Sequence, residues 1–213
     1  MTDRLKRIFE VIPDCEVFAD VGCDHGYIAK AMIKSGKCKK VIVSDISAKC
    51  LEKAEKLLEK EIEDGVAISV VSDGFDKIGS CDSALIAGMG GEEICSILKG
   101  AKNLPEKLVI QPMKNCDKAR LCAVNAGYKI VSDRVFKSAG KFYDLIVLEK
   151  GKDVLTEEEA EFGRNNVCEK AADFSEMISQ KIKKLEKYAS KPELSSCARA
   201  EMQKEIEKLK KYV

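Results

Sequence analysis

The chain carries no tryptophan, a single histidine and only four prolines among its 213 residues. No apolar run approaches the roughly 20 residues that a membrane-spanning helix needs, so none is expected. Met1-Thr2-Asp3-Arg4 leads straight into charged, amphipathic sequence, which does not read as a signal peptide. The 37 basic and 36 acidic residues leave a formal charge of +1. The chain as a whole therefore lacks the basic excess of a nucleic-acid binder, and any such surface must be local. Ten cysteines are scattered from Cys15 to Cys197, yet none forms a C-x-x-C pair. Zinc sites want closely spaced ligands and one histidine adds little to them, so no metal is expected. Cys81, Cys95 and Cys122 lie in apolar runs, where thiols serve as small hydrophobes, and the set reads as reduced cysteines of a cytoplasmic protein. The fingerprint G-x-G-x-x-G is missing too, which argues against a nicotinamide-dependent dehydrogenase.

What is present is organised around Val17-Phe18-Ala19-Asp20-Val21-Gly22-Cys23-Asp24-His25-Gly26-Tyr27-Ile28. An apolar run ends in an acid, a glycine-bearing turn follows, and a helical pattern begins near Ala29. That is a strand, a tight loop and a helix start, the first unit of a nucleotide-binding α/β sheet. A diphosphate needs bare backbone amides at the helix start, and a carboxylate there would repel it. Asp20 and Asp24 instead suit a ligand carrying an ammonium, a sulfonium and ribose hydroxyls, which describes S-adenosylmethionine.

Along the chain, Leu5, Ile8, Phe9 and Ile12 recur at helical spacing and stop at Pro13, predicting a short helix over one edge of a sheet. Strands are predicted at about 16–21, 40–45, 66–71, 82–87 and 108–110. Helices are predicted at about 29–35, 47–63, 91–98 and 117–126. Tyr128–Phe136 and Phe142–Glu149 read as an antiparallel pair around Ser138-Ala139-Gly140. Strands alternating with helices argue a mainly parallel, Rossmann-like α/β sheet. Asp20, Asp45, Asp73, Gly88 and Gln111 all fall at strand C-termini, the edge where open α/β sheets bind ligands. Asp45 lies 25 residues after Asp20, about where a ribose-binding acid is expected.

After Gly151 the pattern changes, dividing the chain into a sheet domain of 1–151 and a C-terminal helical hairpin of 152–213. Thr156 and Glu159 have the spacing of a capping box. Phe174, Met177, Ile178, Ile182, Leu185 and Tyr188 form one apolar stripe; Leu194, Ala198, Met202, Ile206, Leu209 and Val213 form a second. Ser190-Lys191-Pro192 breaks the two, with Pro192 as the first residue of the second helix. Residues 152–176 hold three basic and eight acidic side chains, whereas 177–213 hold ten basic and five acidic. The last helices thus carry a local positive surplus, either a solvated coiled-coil face or a phosphate-contacting arm.

Asp20-Val21-Gly22-Cys23-Asp24-His25-Gly26-Tyr27, Ile86-Ala87-Gly88-Met89-Gly90-Gly91, Gln111-Pro112-Met113 and Lys141-Phe142-Tyr143-Asp144 together resemble the bacterial tRNA methyltransferases that modify N1 of adenine 22. The likeness covers about residues 4–150, and a helical hairpin behind it fits the family layout. Where that family usually has Ala, Pro and Gly-Asp-Gly, this chain has Gly26, Ala29 and Ser72-Asp73-Gly74. The resemblance implies a S-adenosylmethionine-dependent tRNA methyltransferase with Asp20, Gly22, Asp24, His25, Gly26, Asp45, Ile46, Ser72, Asp73, Gly74, Ala87, Gly88, Met89 and Gly90 around the methyl donor. Asp45 would accept the ribose hydroxyls, Asp73 the exocyclic amine of the donor's adenine, and Gly22 and Gly26 would admit its methionine end. Asp24, His25 and Tyr27 are the candidate catalytic residues. Asp24 could stabilise a cationic product ring or bind only the donor's ammonium, and His25 could equally brace the turn. Tyr27, Phe142 and Tyr143 could stack on a flipped base. Gly88-Met89-Gly90-Gly91 lacks the Asn and aromatic residue that hold an exocyclic amine in amino-methylating enzymes, which favours a ring nitrogen. The alternatives are a methyltransferase of another RNA or small molecule, and a donor- and RNA-binding protein without turnover.

Overall fold

A computed structural model describes residues 1–213. In chain order its elements are α1 (Asp3–Val11), β1 (Val17–Val21), α2 (Tyr27–Ser35), β2 (Lys40–Asp45), α3 (Ala48–Leu57), α4 (Glu59–Glu63), β3 (Ala67–Val71), β4 (Ser83–Met89), α5 (Gly91–Gly100), β5 (Lys107–Pro112), α6 (Cys116–Asn125), β6 (Tyr128–Ser138), β7 (Lys141–Lys150), α7 (Glu157–Phe162), α8 (Arg164–Glu169), α9 (Ala172–Ala189) and α10 (Ser196–Lys210). The strands form one sheet in the order β3-β2-β1-β4-β5-β7-β6. The first five are parallel, and β7 returns antiparallel to both β5 and β6.

The period of two along each central strand builds a core on both faces. Phe18, Val41, Leu85 and Val109 point to one side and join Ile28, Met32 and Leu51 from α2 and α3. Ala19, Ile86, Leu108 and Ile110 point to the other and join Ile94, Ala119 and Ala123 from α5 and α6. The strand order reverses between β1 and β4, and the crevice at their C-terminal ends is where such sheets take ligands.

Several expectations shift. The first helix does not cover an edge, since Ile8 and Ile12 are fully buried in the face that also holds Leu85, Val109 and Leu145. The helix predicted over 47–63 is interrupted at Leu58 into α3 and α4, with Ser47 as its N-cap. The fourth strand continues past Ala87 to Met89 through a bulge, so Gly88 lies within the last residues of the strand rather than just after it. All ten cysteines are free, and Cys38 and Cys122 are buried in the core. No helix is long and apolar enough to cross a membrane.

Beyond Gly151 the chain does more than form a hairpin. The capping box at Thr156 is present, with Glu159 N–H donating to Thr156 Oγ1 at 3.2 Å and Thr156 N–H to Glu159 Oε2 at 2.9 Å. α8 packs on β6 and α7 on α6, around Arg120, which is fully buried. Arg120 donates to Asp133 at 2.7 and 2.9 Å, to Asp144, and at 3.3 Å to the carbonyls of Ala160 and Glu161. Burial disfavours its charge, but Asp144 and Asp133 outweigh that and raise its pKa further. α9 and α10 run antiparallel, since Ser175 reaches the carbonyl of Tyr212 while Lys181 pairs with Glu205. Phe162, Phe174, Ile178, Ile182, Ile206 and Leu209 form a third core with Val135 of the sheet. Tyr212 takes the place expected of Val213, and Tyr188 is exposed. Pro192 does not open the last helix. Ser195 does, accepting Ala198 N–H at 3.2 Å, because a side-chain cap satisfies an orphan donor that proline only omits.

Candidate active site

A cleft of about 740 Å³ opens along the C-terminal ends of β1 to β4. Asp20, Gly22, Asp24, His25, Tyr27, Asp45, Ile46, Ser72, Asp73, Gly74, Ala87, Gly88 and Met89 all line it. These positions are far apart in sequence and share the cavity because each follows a parallel strand. Gly26 and Gly90 do not line it. The bare α-carbon of Gly26 faces α3, with Ala54 Cβ only 3.0 Å from where a Cβ would stand. Gly90 is the N-cap of α5, beside Lys114. Its neighbour Gly91 is required by close approach: an added Cβ would meet the Asn115 carbonyl oxygen at 2.0 Å, so only glycine lets the β4 and β5 loops touch.

Asp20 is the penultimate residue of β1 and is 5% exposed. No cation pairs with it, and burial pushes its carboxyl up to about 7, offset only by the Ala29 amide. A buried carboxylate without a counter-ion is costly, and a cationic ligand would relieve it. Asp24 is held at the rim by Lys53 Nζ at 3.0 Å and His25 Nδ1 at 2.7 Å. The Lys53 hydrogen bond first, and then His25, hold its carboxyl below the usual range. The backbone of Asp24 is left-handed, φ 46°, a conformation aspartate tolerates better than most residues. The His25 ring stacks parallel on Tyr27 with centroids 5.5 Å apart. His25 therefore both braces the turn and faces the cleft, and Tyr27 is half exposed beside it.

Asp45 accepts the Ser47 amide on Oδ1 at 2.8 Å, which orients the carboxylate and leaves Oδ2 open to the cleft. The helix cap itself falls to Ser47, so Asp45 is not consumed by capping. Ser72 is buried, donating to the Gly74 carbonyl at 3.1 Å and accepting the Lys77 amide at 3.0 Å, so it shapes the turn that presents Asp73. Met89 covers Gly22, its Cε standing 2.0 Å from the position of a Cβ there.

Of the aromatic candidates, Tyr143 lines the cleft and stacks on Phe136 at 5.5 Å. Phe142 does not; alternation along β7 sends it to the opposite side, against the third core. Arg4, Glu93, Ser138 and Ala139 also line the cleft and were not singled out from sequence. Arg4 donates to Gln111 Oε1 at 2.7 Å and lies 5.7 Å from the Tyr143 ring centroid. No local pattern marks Arg4, since its place depends on α1 folding back across the strand ends.

A doubly wound sheet with acids at the ends of β1, β2 and after β3, and a glycine-bearing first loop, defines a Rossmann-like nucleoside-binding enzyme of the methyltransferase class. Residues 1–146 match the family model described as a methyltransferase domain. The chain is 29% identical over 156 residues to the tRNA (adenine(22)-N(1))-methyltransferase of Bacillus subtilis, covering 71% of this chain and 66% of that protein, just under two thirds of its length. A putative tRNA (m1A22) methyltransferase of Streptococcus pneumoniae superposes with a TM-score of 0.91 at 25% identity, over 100% of this chain and 99% of that one. The TrmK protein of M. capricolum, in complex with S-adenosylhomocysteine, does so with a TM-score of 0.87 at 27% identity, over 100% and 97%. The chain belongs to the methyltransferase-domain family, and within it is similar to the tRNA adenine-22 N1 methyltransferases just described.

Proposed function

We propose that this protein transfers a methyl group from S-adenosylmethionine to N1 of adenine 22 in tRNA. The observation that carries the reading is Asp20, a buried carboxylate facing the cleft without a cation partner. The donor, when bound, supplies a methyl group on a positively charged sulfur, together with an ammonium, a ribose diol and an adenine. Asp20 would hold the ammonium and Asp45 the ribose hydroxyls, through the open Oδ2, which has two lone pairs for two neighbouring donors. Asp73 would take the adenine's amine.

Adenine N1 has a free lone pair at neutral pH, so the attack needs positioning more than a base. The product ring is cationic. Asp24, kept ionised by Lys53 and His25, places a negative charge at the rim where that ring would form. Tyr27 and Tyr143 offer ring faces for the extruded base.

Residues 1–151 thus carry out the chemistry, and the segment 152–213 would face the RNA. Part of the positive surplus is spent inside the protein. Lys208 and Lys211 pair with Glu161 and Glu158 of α7, Lys181 with Glu161 and Glu205, and Lys210 with Glu207. Lys183, Lys184, Lys187, Lys191, Arg199 and Lys204 remain exposed toward the tip of the α9–α10 pair. These are the side chains available to phosphates.

The test is to incubate the protein with isotopically labelled donor and unmodified tRNA, then map the modified nucleoside. Label in 1-methyladenosine at position 22 is expected. Transfer to another position or to no RNA overturns the reading.

A further inference from the structure

α5 borders two cavities. Besides the cleft there is a groove of about 810 Å³ between α5 and α6, and Ser96 lines both. Cys95 and Lys99 of α5 face Lys118 and Cys122 of α6 across the groove. Methyl transfer uses none of these four side chains. We propose that Cys95 and Cys122 form a thiol–disulfide exchange site. Cys95 attacks a small disulfide seated in the groove, Cys122 closes the bond, and α5 is drawn off the donor cleft. The proposal does not depend on which RNA is methylated.

The two helices run parallel, and their contacts step along both together. The Gly91 amide donates to the Lys114 carbonyl at 2.8 Å, Glu92 pairs with Lys118, and Cys95 lies one turn further on. The two thiols are seated reciprocally. Cys95 donates to the Lys118 carbonyl at 3.3 Å, and Cys122 donates toward the Cys95 carbonyl at 3.7 Å. Lys118 is one helical turn before Cys122, so each sulfur lies against the other helix at a single crossing. Burial first, and then the adjoining Cys95 thiol, push Cys122 up to about 11, while Lys99 acts in the opposite sense. A disulfide needs α carbons roughly 4.4–6.8 Å apart. With only Cys95, Ala119 and Cys122 at the crossing, no bulky side chain holds the helices further apart.

Roles divide by access. Cys95 is half-buried beside the groove and Cys122 is buried behind it. The thiolate is the nucleophile, so Cys95 first gives its proton to solvent. It then attacks one sulfur of the small disulfide, whose S–S bond breaks, and one thiol leaves with a proton. Cys122, deprotonated in turn, attacks Cys95 Sγ of the mixed disulfide and releases the second thiol. Two protein thiols are oxidised and one disulfide is reduced to two thiols, with no other reactant. Lys99 and Lys118 suit the groove to a disulfide that carries carboxylates. Such bonds in a cytosol are transient, which agrees with ten free cysteines at rest.

The link to the cleft runs through Ile97. It lines the cleft and packs on the turn that presents Asp73, its Cγ2 2.9 Å from where a Cβ on Gly74 would stand. Closing α5 onto α6 withdraws Ile97 from that turn, so the oxidised protein should bind the donor more weakly.

Oxidised glutathione is the probe. The intact protein, Cys95→Ser and Cys122→Ser are incubated with it and their peptides mapped by mass, and S-adenosylhomocysteine affinity is measured by calorimetry before and after. The intact protein should gain a Cys95–Cys122 cross-link that dithiothreitol reverses. Cys122→Ser should instead keep a glutathionyl group on Cys95, and Cys95→Ser should leave Cys122 unmodified. S-adenosylhomocysteine should bind the oxidised intact protein about 5-fold or more weakly, and Cys95→Ser equally before and after treatment. Glutathione retained on Cys95 of the intact protein without a cross-link would overturn the exchange site. So would an unreacted Cys95 while the exposed Cys168 and Cys197 are modified. A cross-link that leaves S-adenosylhomocysteine affinity unchanged would overturn the coupling of the site to the cleft.

Discussion

Replacing Asp20 by Asn should stabilise the ligand-free protein while abolishing tight donor binding, two effects of opposite sign from one atom pair. Asp20 is raised from 3.8 to about 7 in the folded chain by burial. A group whose folded pKa lies above its unfolded value supports folding fully below the unfolded pKa, and that support is lost as pH rises through the folded value. Between about pH 4 and pH 7, therefore, stability falls as Asp20 is forced to ionise. At about 1.36 kcal/mol per unit the whole displacement is worth about 4 kcal/mol. The Asn amide, only partly paired in the same site, costs about 1–3 kcal/mol of that. A net gain of about 2 kcal/mol remains at pH 8, or about 4–8 °C in Tm for a chain of this size. Thermal unfolding from pH 4.5 to 8.5, with and without S-adenosylhomocysteine, is the assay. The Tm gap should be widest above pH 7 and shrink toward pH 4.5, and added ligand should raise Tm for the unaltered protein alone. In the unaltered protein, ligand affinity should weaken about tenfold from pH 8 to pH 6 as Asp20 takes up its proton. A Tm gap that does not change with pH would mean that Asp20 is not an uncompensated charge, and the reasoning from burial to ligand would fail.

Asp24→Asn keeps shape and removes charge; single-turnover methylation should slow about 100- to 1,000-fold with donor affinity little changed. A weaker donor affinity with an unchanged chemical rate would make Asp24 a binding residue only. Arg120→Met strands Asp133 in the core without its cation and should cost about 3–5 kcal/mol in denaturant unfolding, whereas a loss below 1 kcal/mol would show the network to be dispensable. Neutralising Lys183, Lys184, Lys187, Lys191, Arg199 and Lys204 to Gln should leave S-adenosylhomocysteine binding intact and flatten the salt dependence of tRNA affinity by about 0.7–0.9 in log–log slope per lost phosphate contact. Equal salt slopes would assign the α9–α10 tip to some role other than RNA binding.

Much of the sheet was legible because its signals are local. An apolar run of five or six residues that ends in an acid or glycine reads as a parallel strand wherever it occurs, and Asp20, Asp45 and Asp73 were found by that punctuation alone. The register of the alternation also held, since a one-residue slip would have turned Leu85 or Val109 to the wrong face. Elements set by competition between neighbours were less legible. Pro192 and Ser195 both signal a helix start, and only the satisfied amide of Ala198 decided between them. Gly26, Gly90 and Gly91 look like ligand-loop glycines in sequence, yet the space each one leaves is taken by α3, Lys114 or the Asn115 carbonyl.

What the sequence by itself determined is therefore the set of strands, their C-terminal acids and the chemistry those acids invite. Tertiary structure alone decided which of these side chains share a cavity and which lack a partner. It brought α1 back over β4, so that Arg4 meets Gln111 across 107 positions of chain. It turned Phe142 away from the cleft and Tyr143 into it, and it bound four of the ten cations of residues 177–213 to the acids of α7 and α10. The physical reason is range. Strand and helix patterns are written within a few residues by steric and hydrophobic periodicity, whereas a charge's environment depends on groups that only folding brings near. Asp20 shows the limit most plainly: its sequence context announces a strand end, and only the packed structure leaves its carboxylate buried and alone.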